Sequence, residues 1–272
     1  MFRLLALLGS LLIAPSVAAA FDHRHTAWND LVAKNVVWID AGHASQVRYA
    51  SFKSTHAQLK VYLDSLSAVT RQEFDGWSKT EQLAFLINAY NAFTIEKVLT
   101  RYPKLKSIRD FGTLVGNPWW DKFFTLLGTP MSLDGVEHDT IRKPGVYDDL
   151  RIHFAVNCAS IGCPALRNEA YVAGRLDAQL EDQTKRFLSD RSRNRYAPNS
   201  NTLEVSKIFD WYGSDFRSDF RSGDRGKADL PAFFARYAAQ MSDTPEGQQG
   251  VRDGTAKIAF LDYDWALNDA RK

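Results

Sequence analysis

The chain has 272 residues, and its 34 basic and 32 acidic side chains leave a formal net charge of only +2. This balance gives no electrostatic reason to expect a nucleic acid or an anionic membrane surface as a partner. A chain of this length can form one large domain or two small ones, and we favour one.

The first twenty residues have the features of a secretory signal peptide. Arg3 precedes an apolar run over 4–13, and three alanines at 18–20 form a small-residue cleavage site. No apolar run approaches the roughly 18 residues that a membrane-spanning helix needs. We therefore expect residues 1–20 to be removed and residues 21–272 to form a single domain. The mature protein is then periplasmic or secreted, with no integral membrane segment.

The first part of the mature chain alternates short helices and strands. The hydrophobic spacing predicts a helix over 26–34, a strand over 36–39, a turn over 40–43, a return strand over 47–52 and a helix over 54–66. The strongest helix follows at 79–101. Ser78 and Glu81 have the spacing of a capping box at its start, and Pro103 closes it.

Two asparagines lie three residues apart in this otherwise apolar helix. Burying the amide of Asn88 or Asn91 without a partner would cost about 1 to 3 kcal/mol, so both must form hydrogen bonds. They either hold a neighbouring loop in place or line a binding site.

An aromatic loop over 111–124 comes next and contains the adjacent Trp119 and Trp120. Adjacent residues cannot share one face of a strand or helix, so one of the two rings is expected near solvent or in a groove, although core packing is the simpler role. A strand over 130–133 and a helix over 136–142 are then predicted. Glu137 and His138 fall near the N-terminus of that helix.

Residues 151–166 hold the only two cysteines of the chain, Cys158 and Cys163. The alternation of apolar residues over 152–156 predicts a buried strand that ends before Gly162. Reactive side chains commonly lie where a scaffold element ends in a loop, so this stretch is the first candidate for a functional site.

Helices again dominate the remainder. The pattern predicts helices over 169–188 and 230–241, a short helix after Ser206, a surface excursion over 191–201, and strands over 202–205 and 258–265. Because the strands are short and separated, with no regular strand–helix–strand alternation, the sequence predicts a helix-rich α+β single domain with a small mixed or antiparallel sheet.

One interpretation of the central stretch is a nucleophilic thiol. Such a thiol needs a base within hydrogen-bond reach and a third group that orients the base. Cys158 has the access, His138 and His153 are the candidate bases, and Glu137 or Asp139 could orient either histidine. On a straight strand His153 would lie about 16 Å from Cys158 and face the other side, so His138 is our first choice and His153 our second.

Two other interpretations remain open. A disulfide between Cys158 and Cys163 would make the domain a binding or structural module with no reactive thiol. Alternatively, His153 and the two cysteines recur at five-residue intervals and could bind a metal, although structural zinc sites have tighter cysteine pairs and a fourth ligand. We assign no metal site and no cofactor.

Four blocks of sequence resemble a known family. These are 81–92 (EQLAFLINAYNA), 136–138 (VEH), 151–160 with the following Cys-Pro (RIHFAVNCAS…CP), and 208–212 (IFDWY). They are similar to the blocks of the family known as domain of unknown function 547, and the resemblance extends to the final Tyr263-Asp264-Trp265.

The resemblance implies a fold and an activity. The family is thought to be similar to papain-like and transglutaminase-like thiol enzymes with a Cys, His and Glu site, which here corresponds to Cys158, His138 or His153, and Glu137. We therefore expect a thiol-dependent hydrolase or acyltransferase acting on an amide, a peptide or a thiol conjugate. The candidate substrate-binding residues are Asn88, Asn91, Asn157 and Trp119.

Overall fold

The computed structural model describes residues 20–112, 117–216 and 230–270. Residues 1–19, which make up the predicted signal peptide except for Ala20, lie outside the described residues, as do residues 113–116 of the predicted aromatic loop. Within the described ranges, we find no helix with the length and apolarity needed to span a bilayer.

Helices account for most of the described structure. They are α1 (Thr26–Asn35), α2 (Tyr49–Ser54), α3 (His56–Ala68), α4 (Arg71–Asp75), α5 (Lys79–Arg101), α6 (Leu176–Ser189), α7 (Ile208–Trp211), α8 (Leu230–Arg236), α9 (Ala238–Met241) and α10 (Pro245–Arg252). The strands are β1 (Val36–Ile39), β2 (Ala44–Val47), β3 (Phe124–Leu126), β4 (Thr129–Met131), β5 (Arg195–Ala197), β6 (Thr202–Val205) and β7 (Lys257–Phe260).

The strands form small sheets. β1 and β2 pair as one antiparallel hairpin, and β3 and β4 pair as another. β6 pairs antiparallel with β5 and parallel with β7, so this three-stranded sheet is mixed. The predicted helix-rich α+β class with a small mixed sheet is therefore confirmed.

The centre of the fold is α5, and it has the predicted bounds. Both bonds of the capping box are present: the Ser78 hydroxyl accepts from the Glu81 backbone N–H, and the Glu81 carboxylate accepts from the Ser78 backbone N–H. The helix is buried over nearly its whole length because helices and loops cover it on all sides. Its polar residues must therefore find partners inside the protein.

The buried apolar residues form two clusters. The N-terminal cluster surrounds α5 and includes side chains of α1, α2 and α3. The C-terminal cluster is rich in phenylalanine, and Phe154, Phe209, Phe216 and Phe233 pack there with ring centroids about 5 to 6 Å apart. Residues 150–166 contribute side chains to both clusters.

The predicted strand over 152–156 is wrong. Residues Leu150–Phe154 form a 3₁₀ helix, with the Asp149 carboxylate accepting from the Arg151 backbone N–H at its start. Every residue from 152 to 157 is buried, so the alternation of apolar and polar types did not correspond to a buried and an exposed face. The chain therefore turns within this stretch, and the extended separation expected between His153 and Cys158 does not apply.

Several predicted bounds also differ. The return strand is β2, which ends at Val47, and α2 follows where the strand was expected to continue. The helix predicted from 169 begins at Leu176, and the helix over 230–241 divides into α8 and α9. The helix predicted over 136–142 is present as a π-helical segment, Gly135–Ile141, in which the Arg142 N–H donates to the Glu137 carbonyl 2.9 Å away.

Candidate active site

A cavity of about 260 Å³ lies where the two apolar clusters meet. It brings together side chains from α5, the π-helical segment, the 3₁₀ helix, the cysteine loop, α7 and the C-terminal segment. Among them are Tyr90, Glu137, His138, His153, Cys158, Cys163, Trp119, Trp211, Tyr212, Tyr263 and Trp265. Five of the sequence-predicted site residues, namely Glu137, His138, His153, Cys158 and Trp119, therefore line one pocket.

Cys158 and Cys163 form a disulfide in the wall of this pocket, with an S–S distance of 2.01 Å. Cys158 is partly exposed, whereas Cys163 is only 3% exposed. The Cys158 backbone N–H donates to the Cys163 sulfur 3.0 Å away. The Tyr263 hydroxyl lies 3.2 Å from the Cys158 sulfur and 3.1 Å from the Cys163 sulfur. No thiol is free in the described structure.

The C-terminal segment holds the cysteine loop in place. The backbone N–H of Ile161 donates to the Ala266 carbonyl, and that of Gly162 donates to the Asp264 carbonyl, both over 2.8 Å. A Cβ atom on Gly162 would lie 2.9 Å from the ring of Tyr263. Only glycine therefore allows the Tyr263 ring to approach this closely.

The two asparagines of α5 each hold a separate piece of backbone. The Asn88 amide donates to the Tyr171 carbonyl over 2.7 Å and accepts from the Tyr171 N–H over 3.0 Å. The Asn91 amide donates to the Ala155 carbonyl over 2.9 Å and accepts from the Asn157 N–H over 2.8 Å. Neither asparagine lines the pocket, and both amides are bonded to backbone groups that they position.

Asn157 serves the same purpose one step closer to the disulfide. It is 3% exposed, its amide N–H donates to the Pro164 carbonyl over 2.7 Å, and its amide oxygen accepts from the Ala159 N–H over 3.0 Å. It therefore ties the two ends of the cysteine loop together. Substrate binding by Asn88, Asn91 and Asn157 stays a prediction, because in this arrangement their amides face the protein backbone.

Asp215 connects the two sides of the site. Its Oδ2 accepts from Arg142 Nε over 2.7 Å and lies 2.9 Å from His153 Nε2. Burial alone would raise the pKa of this carboxyl, but the bonds from His153 and Arg142 prevail and hold the pKa well below its usual range. Asp215 is therefore an anion next to the His153 ring.

His153 is buried against aromatic rings. Its imidazole stacks on Tyr212 with centroids 4.4 Å apart and lies 5.6 Å from the Phe216 ring. Burial lowers the pKa of His153, with the Asp215 carboxylate acting in the opposite direction. Its Nδ1 has no hydrogen-bond partner among the described residues. The ring is thus neutral near pH 7, with Nε2–H directed to Asp215 and an unprotonated, buried Nδ1.

His138 has partners at both ring nitrogens. Its Nδ1 is bonded to the Arg142 guanidinium, which can only donate, so Nδ1 must accept. Its Nε2 lies 3.4 Å from Asp134 Oδ1. Burial raises the pKa of Asp134, and the neighbouring charge of Glu137 acts in the same direction.

Glu137 is 6% exposed, and its carboxylate interacts electrostatically with the hydroxyls of Tyr90 and Tyr212. Burial raises the pKa of both phenols, and the nearby carboxylate raises it further, so both hydroxyls stay protonated. Glu137 contacts neither histidine through a hydrogen bond in the described structure. Asp215, rather than Glu137, is the acid beside His153.

Tryptophan rings surround the mouth of the pocket. Trp211 and Trp265 have centroids 5.6 Å apart, and Trp265 meets Trp119 edge to face at 5.8 Å. Trp211 is 44% exposed and Trp120 is 63% exposed. Trp119 therefore lines the pocket, as predicted for one ring of the adjacent pair, while Trp120 faces solvent.

Sequence reasoning missed several residues of the site, chiefly Tyr90, Arg142, Asp215 and Tyr263. Arg142 follows Glu137 and His138 by about one helical turn, which is a signal that could have placed it beside them. Asp215 and Tyr263 come from segments far along the chain, and no local pattern connects them to the cysteines. Among the described residues, no cluster of histidine, cysteine, aspartate and glutamate side chains has the arrangement of a metal site.

Comparison with known proteins identifies part of the chain. Residues 74–188 match the family model described as Protein of unknown function, DUF547. The resemblance to this family inferred from the sequence is thereby confirmed over residues 74–188. This DUF547 stretch contains α5, the π-helical segment and both cysteines, whereas Asp215 and Tyr263 follow it. No curated protein and no solved structure matches the chain. The papain-like or transglutaminase-like fold stays a prediction.

Proposed function

We propose that the pocket is the active site of a thiol-dependent hydrolase or acyltransferase in which Cys158 is the nucleophile. The observation that carries this proposal is the placement of Cys158, His153 and His138 in the wall of one cavity. The disulfide means that the nucleophile is available only after reduction. An amide, a peptide or a thiol conjugate is the proposed substrate.

The contacts favour His153 over His138 as the base. A general base needs an unprotonated nitrogen free to accept and a partner that orients the ring. His153 has both, because Asp215 binds Nε2 and leaves Nδ1 without a partner among the described residues. His138 instead has Nδ1 occupied by Arg142. This reverses the order inferred from the sequence and gives the orienting role to Asp215.

The proposed reaction follows the general thiol mechanism. Two thiols of an external reductant first convert the disulfide to two cysteine thiols and are themselves oxidised to a disulfide. His153 then accepts the Cys158 proton, and the thiolate attacks the acyl carbon of the substrate. The leaving group takes the proton from His153 as the acyl–sulfur bond is completed. Water or a second nucleophile then cleaves the thioester and regenerates the thiol.

We also propose that the protein is exported. The support is the sequence pattern of Arg3, the apolar run over 4–13 and the alanines at 18–20. An exported chain with two cysteines enters an oxidising compartment, where a disulfide persists. A reductant in that compartment would then control how much Cys158 is free.

The test compares reduced and oxidised protein. The full chain is treated with an activated acyl ester, p-nitrophenyl acetate, and intact mass is recorded before and after hydroxylamine, which cleaves thioesters. We expect one acyl group per reduced molecule and none on the oxidised protein or on Cys158→Ser. Cys163→Ser should still be acylated without reductant. An unacylated reduced protein, with Cys158 alkylating at the pH profile of free cysteine, would exclude the proposal.

A second candidate is a binding module whose disulfide is permanent, because the described structure contains no free thiol. In that case the cavity binds a ligand and performs no chemistry. The acylation experiment separates the two. Loss of acylation in His153→Ala, with His138→Ala retaining it, would favour the enzyme, whereas identical behaviour of both variants and the parent would favour the module.

A further inference from the structure

The two sulfurs of the disulfide have different surroundings. Cys158 is partly exposed in the pocket wall, and Cys163 is 3% exposed. An external thiolate attacks a disulfide at the sulfur that it can reach and expels the other as a thiolate. Access therefore favours attack on Cys158.

The hydrogen-bond donors favour the same direction. Cys163 sulfur accepts from the Cys158 backbone N–H at 3.0 Å and lies 3.1 Å from the Tyr263 hydroxyl. Among the described residues, the Cys158 sulfur has a single such partner, the shared Tyr263 hydroxyl at 3.2 Å. Hydrogen bonds to a charged acceptor are stronger than those to a neutral one, so both donors gain strength as negative charge develops on Cys163.

Tyr263 is able to keep its proton during such a reaction. Burial raises the pKa of its phenol, with the carboxylates of Glu137 and Asp264 acting in the same direction and Arg193 opposing them. The ring is fixed by its contacts with Trp211 at 4.9 Å and Trp265 at 4.5 Å. A fixed, protonated hydroxyl is a preorganised donor for a thiolate.

We propose that the pocket catalyses thiol–disulfide exchange, in which an incoming cysteinyl thiolate bonds to Cys158 and releases Cys163 as a thiolate held by the Cys158 N–H and Tyr263. The bond between the two protein sulfurs breaks as the new sulfur–sulfur bond forms. Its electron pair stays on Cys163, so no other oxidant or reductant takes part. The product is a mixed disulfide on Cys158.

The size of the cavity defines the class of thiol. A volume of about 260 Å³ accommodates an amino-acid-sized or short peptide group, and Trp211, Tyr212 and Trp265 provide flat apolar walls. The reaction goes beyond the proposed acyl chemistry because it uses the disulfide itself and needs neither histidine as a base. The exchange reaction can therefore be confirmed or excluded independently of the acyl chemistry.

The test locates the adduct on the folded full chain. Oxidised protein is mixed with cysteine or, in a parallel arm, with a blocked tripeptide that has a central cysteine, then quenched with acid and alkylated to block free thiols. Fragment spectra of the tryptic peptide 152–167 show which cysteine holds the adduct. A synthetic oxidised peptide of the cysteine loop, which lacks Tyr263, serves as the reference.

We expect the adduct on Cys158 to exceed that on Cys163 by about tenfold or more in the folded protein, and the two to be comparable in the peptide. Stronger labelling by the tripeptide than by cysteine would indicate a peptide-borne thiol, and the reverse would indicate a free small thiol. An even distribution in the folded protein, or an adduct mainly on Cys163, would overturn the proposal.

Tyr263→Phe keeps the ring and removes the hydroxyl. We expect it to slow formation of the Cys158 adduct about tenfold or more, as loss of one hydrogen bond to a charged sulfur implies. Tyr237→Phe is the matched control, because its hydroxyl is bonded to Glu181 outside the pocket. In the Cys158→Ser background, Tyr263→Phe should also shift alkylation of Cys163 to higher pH. An unchanged rate and an unchanged pH profile together would remove Tyr263 from the mechanism.

Failure of this proposal is distinguishable from failure of the proposed function. Cys163→Ser has no disulfide, so acylation of its Cys158 reports on the hydrolase or transferase alone. A protein that exchanges thiols but is never acylated supports exchange only. A protein that is acylated but shows no directed exchange supports the acyl chemistry only.

Discussion

The back wall of the pocket, where α5 holds backbone residues 155–157, differs from its mouth, where Trp211, Tyr263 and Trp265 meet. In the back wall, the Asn91 amide bonds two backbone groups, and nothing there is exposed. The mouth is held mainly by ring contacts between 4.5 and 5.6 Å, and Trp211 is 44% exposed. The back wall lies within the DUF547 stretch, whereas the three rings follow it.

Because the two regions are held by different interactions, a substitution has different consequences in the back wall and in the mouth. Removing an amide from the back wall leaves buried backbone groups without partners, which is expensive in free energy. Removing a ring from the mouth loses packing area next to solvent, and water can fill the space. We therefore expect substitutions in the back wall to affect folding, and substitutions in the mouth to affect mainly the chemistry of the pocket.

The largest effect is expected for Asn91→Ala. It leaves the Ala155 carbonyl and the Asn157 N–H unsatisfied in a buried site, so the free energy of unfolding should fall by about 2 to 4 kcal/mol. Asn88→Ala is the matched control on the same helix and should cost a similar amount. Urea denaturation gives the stabilities. Only Asn91→Ala should also increase the rate at which a thiol opens the disulfide. An Asn91→Ala protein with the stability and the disulfide reactivity of the parent would contradict the back-wall assignment.

The second largest effect is expected for Asp215→Asn, which should lower the free energy of unfolding by about 2 kcal/mol. The substitution weakens two hydrogen bonds, from Arg142 and His153, to a charged acceptor. The folded-state pKa of Asp215 is depressed, so its stabilisation is present above the ordinary aspartate pKa of 3.8 and is lost as pH falls through the lower folded-state value. The stability gap to the parent should therefore close in acid. Asp210→Asn is the control, since its pair with Lys207 is exposed and should matter little. A gap that widens in acid would contradict this prediction.

Gly162→Ala should lower the free energy of unfolding by about 1 to 2 kcal/mol. The added methyl group would lie 2.9 Å from the Tyr263 ring, so the ring must move. Near-ultraviolet circular dichroism should change, since Tyr263 contacts Trp211 and Trp265. Gly174→Ala is the control, because a Cβ there meets no atom within 4 Å. Equal spectra for the two variants would show that the mouth tolerates displacement of this ring.

The smallest effect is expected for Ser78→Ala, which removes the N-cap of α5 and should cost about 1 kcal/mol. The cap lies about 20 Å along α5 from Asn91, the helix residue that holds the cysteine stretch. Thermal unfolding should therefore shift while reactivity per folded molecule stays the same. Ser200→Ala is the control, because Ser200 is exposed and its hydroxyl makes one long hydrogen bond to the Ala197 carbonyl. This substitution should shift the thermal unfolding temperature less. Loss of reactivity in folded Ser78→Ala would show that α5 is coupled to the site over its whole length.

Local signals predicted the α5 side of the back wall but not the conformation of the segment that α5 holds. The bounds of α5 follow from the capping box and Pro103, and the need of Asn88 and Asn91 for partners follows from the cost of burying an amide. The strand over 152–156 failed because residue types alternated while every position was buried. A two-residue period identifies a strand only when one face is exposed.

The mouth could not be predicted in the same way. Tyr263 meets sulfurs that lie 105 and 100 residues earlier in the chain, and Asp215 meets a histidine 62 residues earlier. Such contacts depend on how helices and loops pack, which no local pattern determines. The family resemblance placed Cys158, His138, His153 and Glu137 in one site, but it did not indicate that Asp215 would be the acid next to His153.

The pairing of the cysteine loop with residues 264–266 also has a consequence for the order of assembly. Cys158 and Cys163 are separated by five positions, so they can meet while the chain is still disordered, whereas Tyr263 must close a loop of about a hundred residues to reach them. During synthesis the two cysteines emerge long before that tyrosine. In an oxidising compartment the two sulfurs can therefore be joined before the pocket around them is complete, and a thiol that enters the finished pocket then meets a disulfide that is already in place.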